Sequence, residues 1–139
     1  MINRRVLIID HYDATLDLLV EVLQNEGYTA LRYPGSHLSA QRVADAQADL
    51  LVLELGISDG DDALRLIRDL RQHPDMRALP VIANSTNTRL LNNLGPELDD
   101  LGCVALEKPF DLDDLCSLIG SLIARCDQTQ SLACRANAG

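Results

Sequence analysis

Residues 50–62 read LLVLELGISDGDD, and this stretch decides the fold. Leu50 to Leu53 form a short, unbroken apolar run, too short for a helix and without the alternation of a half-wetted strand. Such a run fits a strand covered on both faces, the usual condition in a parallel sheet. An acid, Glu54, closes it, and Gly56 to Asp62 follow as a polar loop.

The same grammar recurs on either side. Val6-Leu7-Ile8-Ile9 is a second buried run, closed by Asp10 and His11. Asp13 then stands where a helix N-cap belongs, with Leu16, Leu19, Val20 and Leu23 at helical spacing and Gly27 as the terminating glycine. Tyr28 to Tyr33 reads as a strand, Pro34-Gly35-Ser36 as a turn, and Leu38 to Ala46 as a weak helix. Leu64, Ile67, Leu70 and Arg71 carry a third helix, which His73-Pro74 stops. Leu79 to Ala83 reads as the fourth strand. Thr88 to Leu94 begins a helix, but a proline in a helix interior costs about 3 kcal/mol. Gly95-Pro96 therefore predicts two short pieces, the second opened by Pro96. Val104 to Leu106 is a short fifth strand. Asp111 caps a last helix whose Leu112, Leu115, Ile119, Leu122 and Ile123 make one apolar stripe. Residues 1–126 form one domain on this reading, and 127–139 a polar tail expected to fray.

Five strands alternating with helices imply a doubly wound parallel sheet, (βα)5, with helices on both faces. A ligand site in such a sheet lies at the carboxyl ends of the strands. That places Asp10, His11, Glu54, Ser85, Thr86 and Lys108 under scrutiny. Lys108 is the only lysine, since the other eleven of the 12 basic residues are arginines. A compact ammonium reaching into a narrow pocket is not replaceable by a planar guanidinium. Carboxylates beside one lysine at strand ends commonly hold a hard divalent cation and a phosphoryl group.

Composition narrows the functions open to such a site. The chain has 139 residues, 47% of them hydrophobic, enough for a single packed domain. Its formal charge of −9 and the lack of a basic patch argue against nucleic acid as a partner. Aromatic residues make up only 3%, which leaves no base-stacking platform. No apolar run is long enough to span a membrane and no signal-peptide pattern opens the chain, so a cytoplasmic protein is expected. Cys103, Cys116, Cys126 and Cys134 lack zinc or redox-motif spacing and read as plain thiols.

Taken together, RRVLIIDHYD, ADLLVLE, HPDMRALPVIANST and EKPFDLDDL resemble, in order and spacing, the receiver domains of bacterial two-component response regulators. The resemblance covers roughly residues 4 to 125. It implies a flavodoxin-like (CheY-like) fold that takes a phosphoryl group from a histidine kinase onto an Asp after the third strand. In that family Mg²⁺ is held by this Asp and an acidic pair after the first strand.

Several working positions depart from the pattern. Glu54 stands at the phospho-acceptor position, Asp10-His11 at the acidic pair, and Ser58 where a proline is expected. Ser85 keeps the switch hydroxyl, Thr86 replaces a small residue, and Ala105 replaces the aromatic switch. Lys108 is in place. A carboxylate one methylene longer is displaced by roughly an ångström or more from the in-line geometry of phosphoryl transfer. Neutral His11 is a poor ligand for Mg²⁺. No cofactor or resident metal is therefore expected, Asp10 and Glu54 being the candidate ligands that remain for Mg²⁺.

The resemblance thus suggests a non-enzymatic regulatory module working by protein–protein contact, with a histidine kinase or downstream effector as partner. The face of the fourth helix, fifth strand and fifth helix is the family's dimerisation and docking face, altered here by Gly95-Pro96. Glu54 either pairs permanently with Lys108, standing in for a phosphoryl charge, or is a tolerated acid in a decayed site. A phosphoryl-accepting regulator and a flavodoxin-like ligand-binding protein are the alternatives. Against the latter, Asp10-His11-Tyr12-Asp13 would repel a phosphate. His11 reads as a rim residue. Asp59, Asp61 and Asp62 lack the calcium-loop pattern and charge a helix start, as Asp111, Asp113 and Asp114 do.

Overall fold

The computed structural model describes residues 3–33, 39–56 and 61–138, with side chains as far as Asp127. Five strands alternate with five helices: β1 (Arg5–Ile9), α1 (Asp13–Asn25), β2 (Thr29–Tyr33), α2 (Ala40–Asp45) and β3 (Leu50–Glu54) in the first half. The second half continues with α3 (Asp61–Gln72), β4 (Val81–Ser85), α4 (Thr88–Asp100), β5 (Val104–Glu107) and α5 (Leu112–Ala138). All strand pairings are parallel and the order is β2-β1-β3-β4-β5. This is the expected flavodoxin-like, CheY-like arrangement.

Strand periodicity sorts the core into two layers. Leu7, Ile9, Leu51, Leu53, Val81 and Ala83 pack with α3 and α4 residues such as Leu64, Ile67, Leu70 and Leu98. Val6, Ile8, Leu50, Val52 and Ile82 face Leu16, Leu19, Leu23, Leu115 and Ile119 of α1 and α5. β3 is buried along its whole length, as a central strand with helices on both sides must be.

Four expectations are corrected. Asp13 is the first helical residue of α1, and the cap position is Tyr12, which offers no side-chain cap. The chain is turned into α1 instead by Asp10, whose Oδ1 accepts the Tyr12 N–H at 2.9 Å. β4 starts at Val81, not Leu79, because Pro80 has no N–H to give the ladder. Its carbonyl still accepts from Leu51 N at 3.0 Å.

α4 is one helix with Pro96 inside it. The carbonyl one turn back, on Asn92, loses its intrahelical donor, but Asn92 and Pro96 both lie on the exposed face, so it is not buried. Leu91 and Leu98 are buried against the sheet, and Arg68 of α3 pairs with Glu97, so packing carries the helix through the proline. The face expected to dock partners therefore has no break in its helix there.

Lastly, the α5 backbone runs on to Ala138, where fraying is expected after residue 126. The turn at Pro34-Gly35-Ser36, the helix start at Leu38, and Ser58 and Asp59 lie outside the described residues.

Other expectations hold. Gly27 has φ +93 beyond the end of α1. Asp111 Oδ1 accepts from Asp113 N at 2.8 Å, capping α5. Asp61 and Asp62 lie in the first turn of α3, where carboxylates suit the helix dipole. Among the described residues no helix is long and apolar enough to cross a membrane.

Candidate functional site

Parallel register brings three residues to one edge of the sheet. Ile9 pairs with Leu53 and Glu54 with Asn84, while Asn84 pairs with Leu106. One residue beyond β1 is Asp10, and one beyond β5 is Lys108, whose N–H donates to Ser85 O at 2.8 Å. Strands of matched length thus deliver Asp10, Glu54 and Lys108 to one place from three distant parts of the chain.

There the three side chains meet. Lys108 Nζ donates to Glu54 Oε2 at 2.6 Å and to Asp10 Oδ2 at 2.7 Å. The carboxylates are almost sealed from solvent, Asp10 at 2% exposure and Glu54 at 3%. The remaining oxygen of each is also taken. Asp10 Oδ1 accepts from Tyr12 N, and Glu54 Oε1 from Gly56 N at 2.9 Å. Each acid thus grips the backbone two residues ahead with one oxygen and the ammonium with the other. Burial by itself would push the Lys108 ammonium down, but the hydrogen bonds and charges of Asp10 and Glu54 outweigh it and hold it above its ordinary value.

Of the other expected site residues, His11 is exposed and leans on Tyr12, ring centroids 4.1 Å apart. It makes no part of the ion cluster. Ser85 is buried and its Oγ accepts from Asn87 N at 3.0 Å, a local turn at the end of β4. Thr86 is exposed and helps line a groove of about 420 Å³ with Thr15, Leu18, Lys108, Pro109 and Phe110. Ala105 lies exposed on β5, away from the cluster. Among the described residues no three His, Cys, Asp or Glu side chains stand close enough to hold a metal ion.

Two residues belong to the site that sequence reasoning passes over. Asn84, beside Glu54 in the sheet, is 2% exposed. Its Nδ2 donates to Leu53 O at 3.2 Å, but its Oδ1 has no partner. The signal was an amide inside the apolar run VIANS. Gly56 is the other, since its N–H holds Glu54 from below; nothing in the loop GISDG marked it out. Cys103 is buried beside Arg71, with burial pushing its thiol up, and Cys116 is a half-buried thiol.

A 2-1-3-4-5 parallel sheet with a buried acid–lysine cluster at its carboxyl edge is the architecture of a response-regulator receiver domain, the CheY-like class. Comparison with known proteins agrees. The chain is 30% identical over 124 residues to the transcriptional regulatory protein BasR of Escherichia coli, covering 87% of this chain and 53% of that protein. It is 29% identical over 110 residues to the KDP operon transcriptional regulatory protein KdpE of the same organism, covering 79% and 47%. A CheY-like response regulator receiver domain protein from Methanospirillum hungatei superposes with a TM-score of 0.73 at 19% identity, covering 92% of this chain and 99% of that one. No family model matches. The chain spans about half the length of the curated relatives it matches.

Proposed function

We propose that this chain is a regulatory module of a two-component signalling system that works through protein–protein contact, without Mg²⁺-dependent phosphorylation at position 54. The observation that carries this reading is the closed ion cluster. All four oxygens of Asp10 and Glu54 are engaged by Lys108 or by backbone N–H groups. Mg²⁺ demands several oxygen ligands in a near-ideal octahedron. Here two acids share a lysine, and the position of the family's third carboxylate carries the exposed His11. This donor set fits the ion poorly.

Glu54 then stands in for a phosphoryl charge, holding Lys108 in one arrangement. A buried ion pair of this kind contributes little net stability against an apolar core, yet removing one member is strongly destabilising. Its value lies in fixing one geometry at the strand ends. With Ala105 on β5 no ring can report a change at Ser85, so the module presents a constant surface.

The unit that does this is residues 1–126, acting in the cytoplasm on a histidine kinase or a downstream effector, and not as an enzyme. The unbroken α4, with β5 and α5, supplies a face for a partner or a second copy.

Beryllofluoride with Mg²⁺ tests the reading by amide NMR. The wild type is expected to show no shift at Glu54, Ser85 or Lys108, and Glu54→Asp to show a saturable one. Saturable shifts in the wild type would overturn it.

A further inference from the structure

Gly56 is the donor to Glu54 Oε1, and it is also the described glycine with least room beside it. A Cβ built there would stand 2.9 Å from Oε1 and 3.7 Å from Glu54 Cδ. The first separation is closer than packed atoms tolerate, so something must move. Oε1 is not the free end of a flexible chain. The same carboxylate holds Lys108 Nζ through Oε2 at 2.6 Å, and the side chain is 4% exposed. Moving Oε1 away from a Cβ disturbs the bond to Gly56 N, the bond to Lys108, or both. Backbone conformation does not demand the glycine, since φ at Gly56 lies outside the left-handed region.

We infer that Gly56 is the positioning residue of this site. Its missing side chain is the space into which the longer Glu54 folds back while it holds Lys108. Positions 54 and 56 are therefore coupled: glutamate at 54 requires glycine at 56, whereas aspartate does not. An Asp carboxylate is withdrawn by roughly 1.5 Å, one carbon–carbon bond, and leaves a Cβ at 56 clear. The inference rests on the proposal that the Glu54–Lys108 pair is the standing state of the site.

A cycle of wild type, Gly56→Ala, Glu54→Asp and the double variant tests it, read by thermal midpoint and by the ¹⁵Nζ resonance of Lys108. Glycine-to-alanine exchange at an unstrained position raises stability by restricting the unfolded chain. Gly56→Ala is expected to lower the midpoint in the wild type and to shift the Lys108 resonance and bring its titration to lower pH. In the Glu54→Asp background the same exchange is expected to leave the midpoint level or raise it. An equal fall in both backgrounds, or an unchanged Lys108 resonance in Gly56→Ala, overturns the inference. If Gly56→Ala does not fold, the double variant decides: folding supports the coupling, and failure of both contradicts it. Phosphorylation of the wild type by acetyl phosphate would sink the proposed function while leaving the 54–56 coupling measurable.

Discussion

Lys108 neutralises only one of the two buried carboxylates it touches, so its removal leaves both without a cation. Lys108→Met is expected to lower the unfolding free energy by about 3–5 kcal/mol, read from urea midpoints near neutral pH. The pH dependence has a definite sign. The ammonium is held above its ordinary value of 10.5, so its contribution is complete below that pH in the folded protein. It is lost as pH rises from 10.5 through the higher folded value, because the unfolded chain releases the proton first. Tyr28, also raised by burial, loses stability in the same alkaline range, so the comparison must be wild type against Lys108→Met. The wild type should lose its advantage over the variant as pH rises through that range. Asn84 gives a second residue-scale prediction. A buried carbonyl oxygen without a partner is costly, so Asn84→Val is expected to raise stability by about 1 kcal/mol with an unchanged urea slope. A loss of that size would mean that Oδ1 has a partner in solution. At this scale the sequence was legible where strand ends set the geometry. The meeting of Asp10, Glu54 and Lys108 follows from the places where three apolar runs stop. The role of Gly56 was not, because it depends on which way a carboxylate folds back.

At the scale of elements, type was easier to read than extent. Apolar periodicity marks α1, α3 and α5 plainly, since each needs one stripe against the sheet. α4 was misread because a local penalty at Pro96 was weighed without the packing that offsets it. Leu91 and Leu98 are anchored in the core on one side, and the unsatisfied Asn92 carbonyl faces water on the other. Pro96→Ala restores that hydrogen bond and is expected to stabilise the protein by about 1–3 kcal/mol. Leu98→Ala, at a position with 0% exposure, is expected to cost about 2–5 kcal/mol. Both are checked by chemical denaturation. A neutral Pro96→Ala would mean that α4 is bent or hydrated in a way that already satisfies Asn92. The first turn of α1 was misassigned for a related reason. Asp13 has the right chemistry for a cap, but Asp10, three residues earlier, already organises the turn through Tyr12.

For the whole molecule, alternation of strand and helix was enough to deduce a doubly wound sheet, because right-handed crossovers leave few ways to arrange such a chain. The 2-1-3-4-5 strand order is read from the structure, while the meaning of the site came from the resemblance. The formal charge of −9 is spread over helix starts such as Asp61, Asp62, Asp113 and Asp114, while the strand-end site holds two acids against one lysine. An acidic chain is therefore half-neutralised at the place where receiver domains concentrate negative charge. That contrast leads to the claim that position 54 has exchanged phosphoryl transfer for a standing ion pair. Intact-mass measurement after incubation with acetyl phosphate and millimolar Mg²⁺ tests this most directly. No phosphoryl adduct on the wild type, with an Mg²⁺-dependent adduct on Glu54→Asp, is the predicted result. An Mg²⁺-dependent adduct on wild-type protein, mapped to Glu54 or to an acid beside it, would contradict the account.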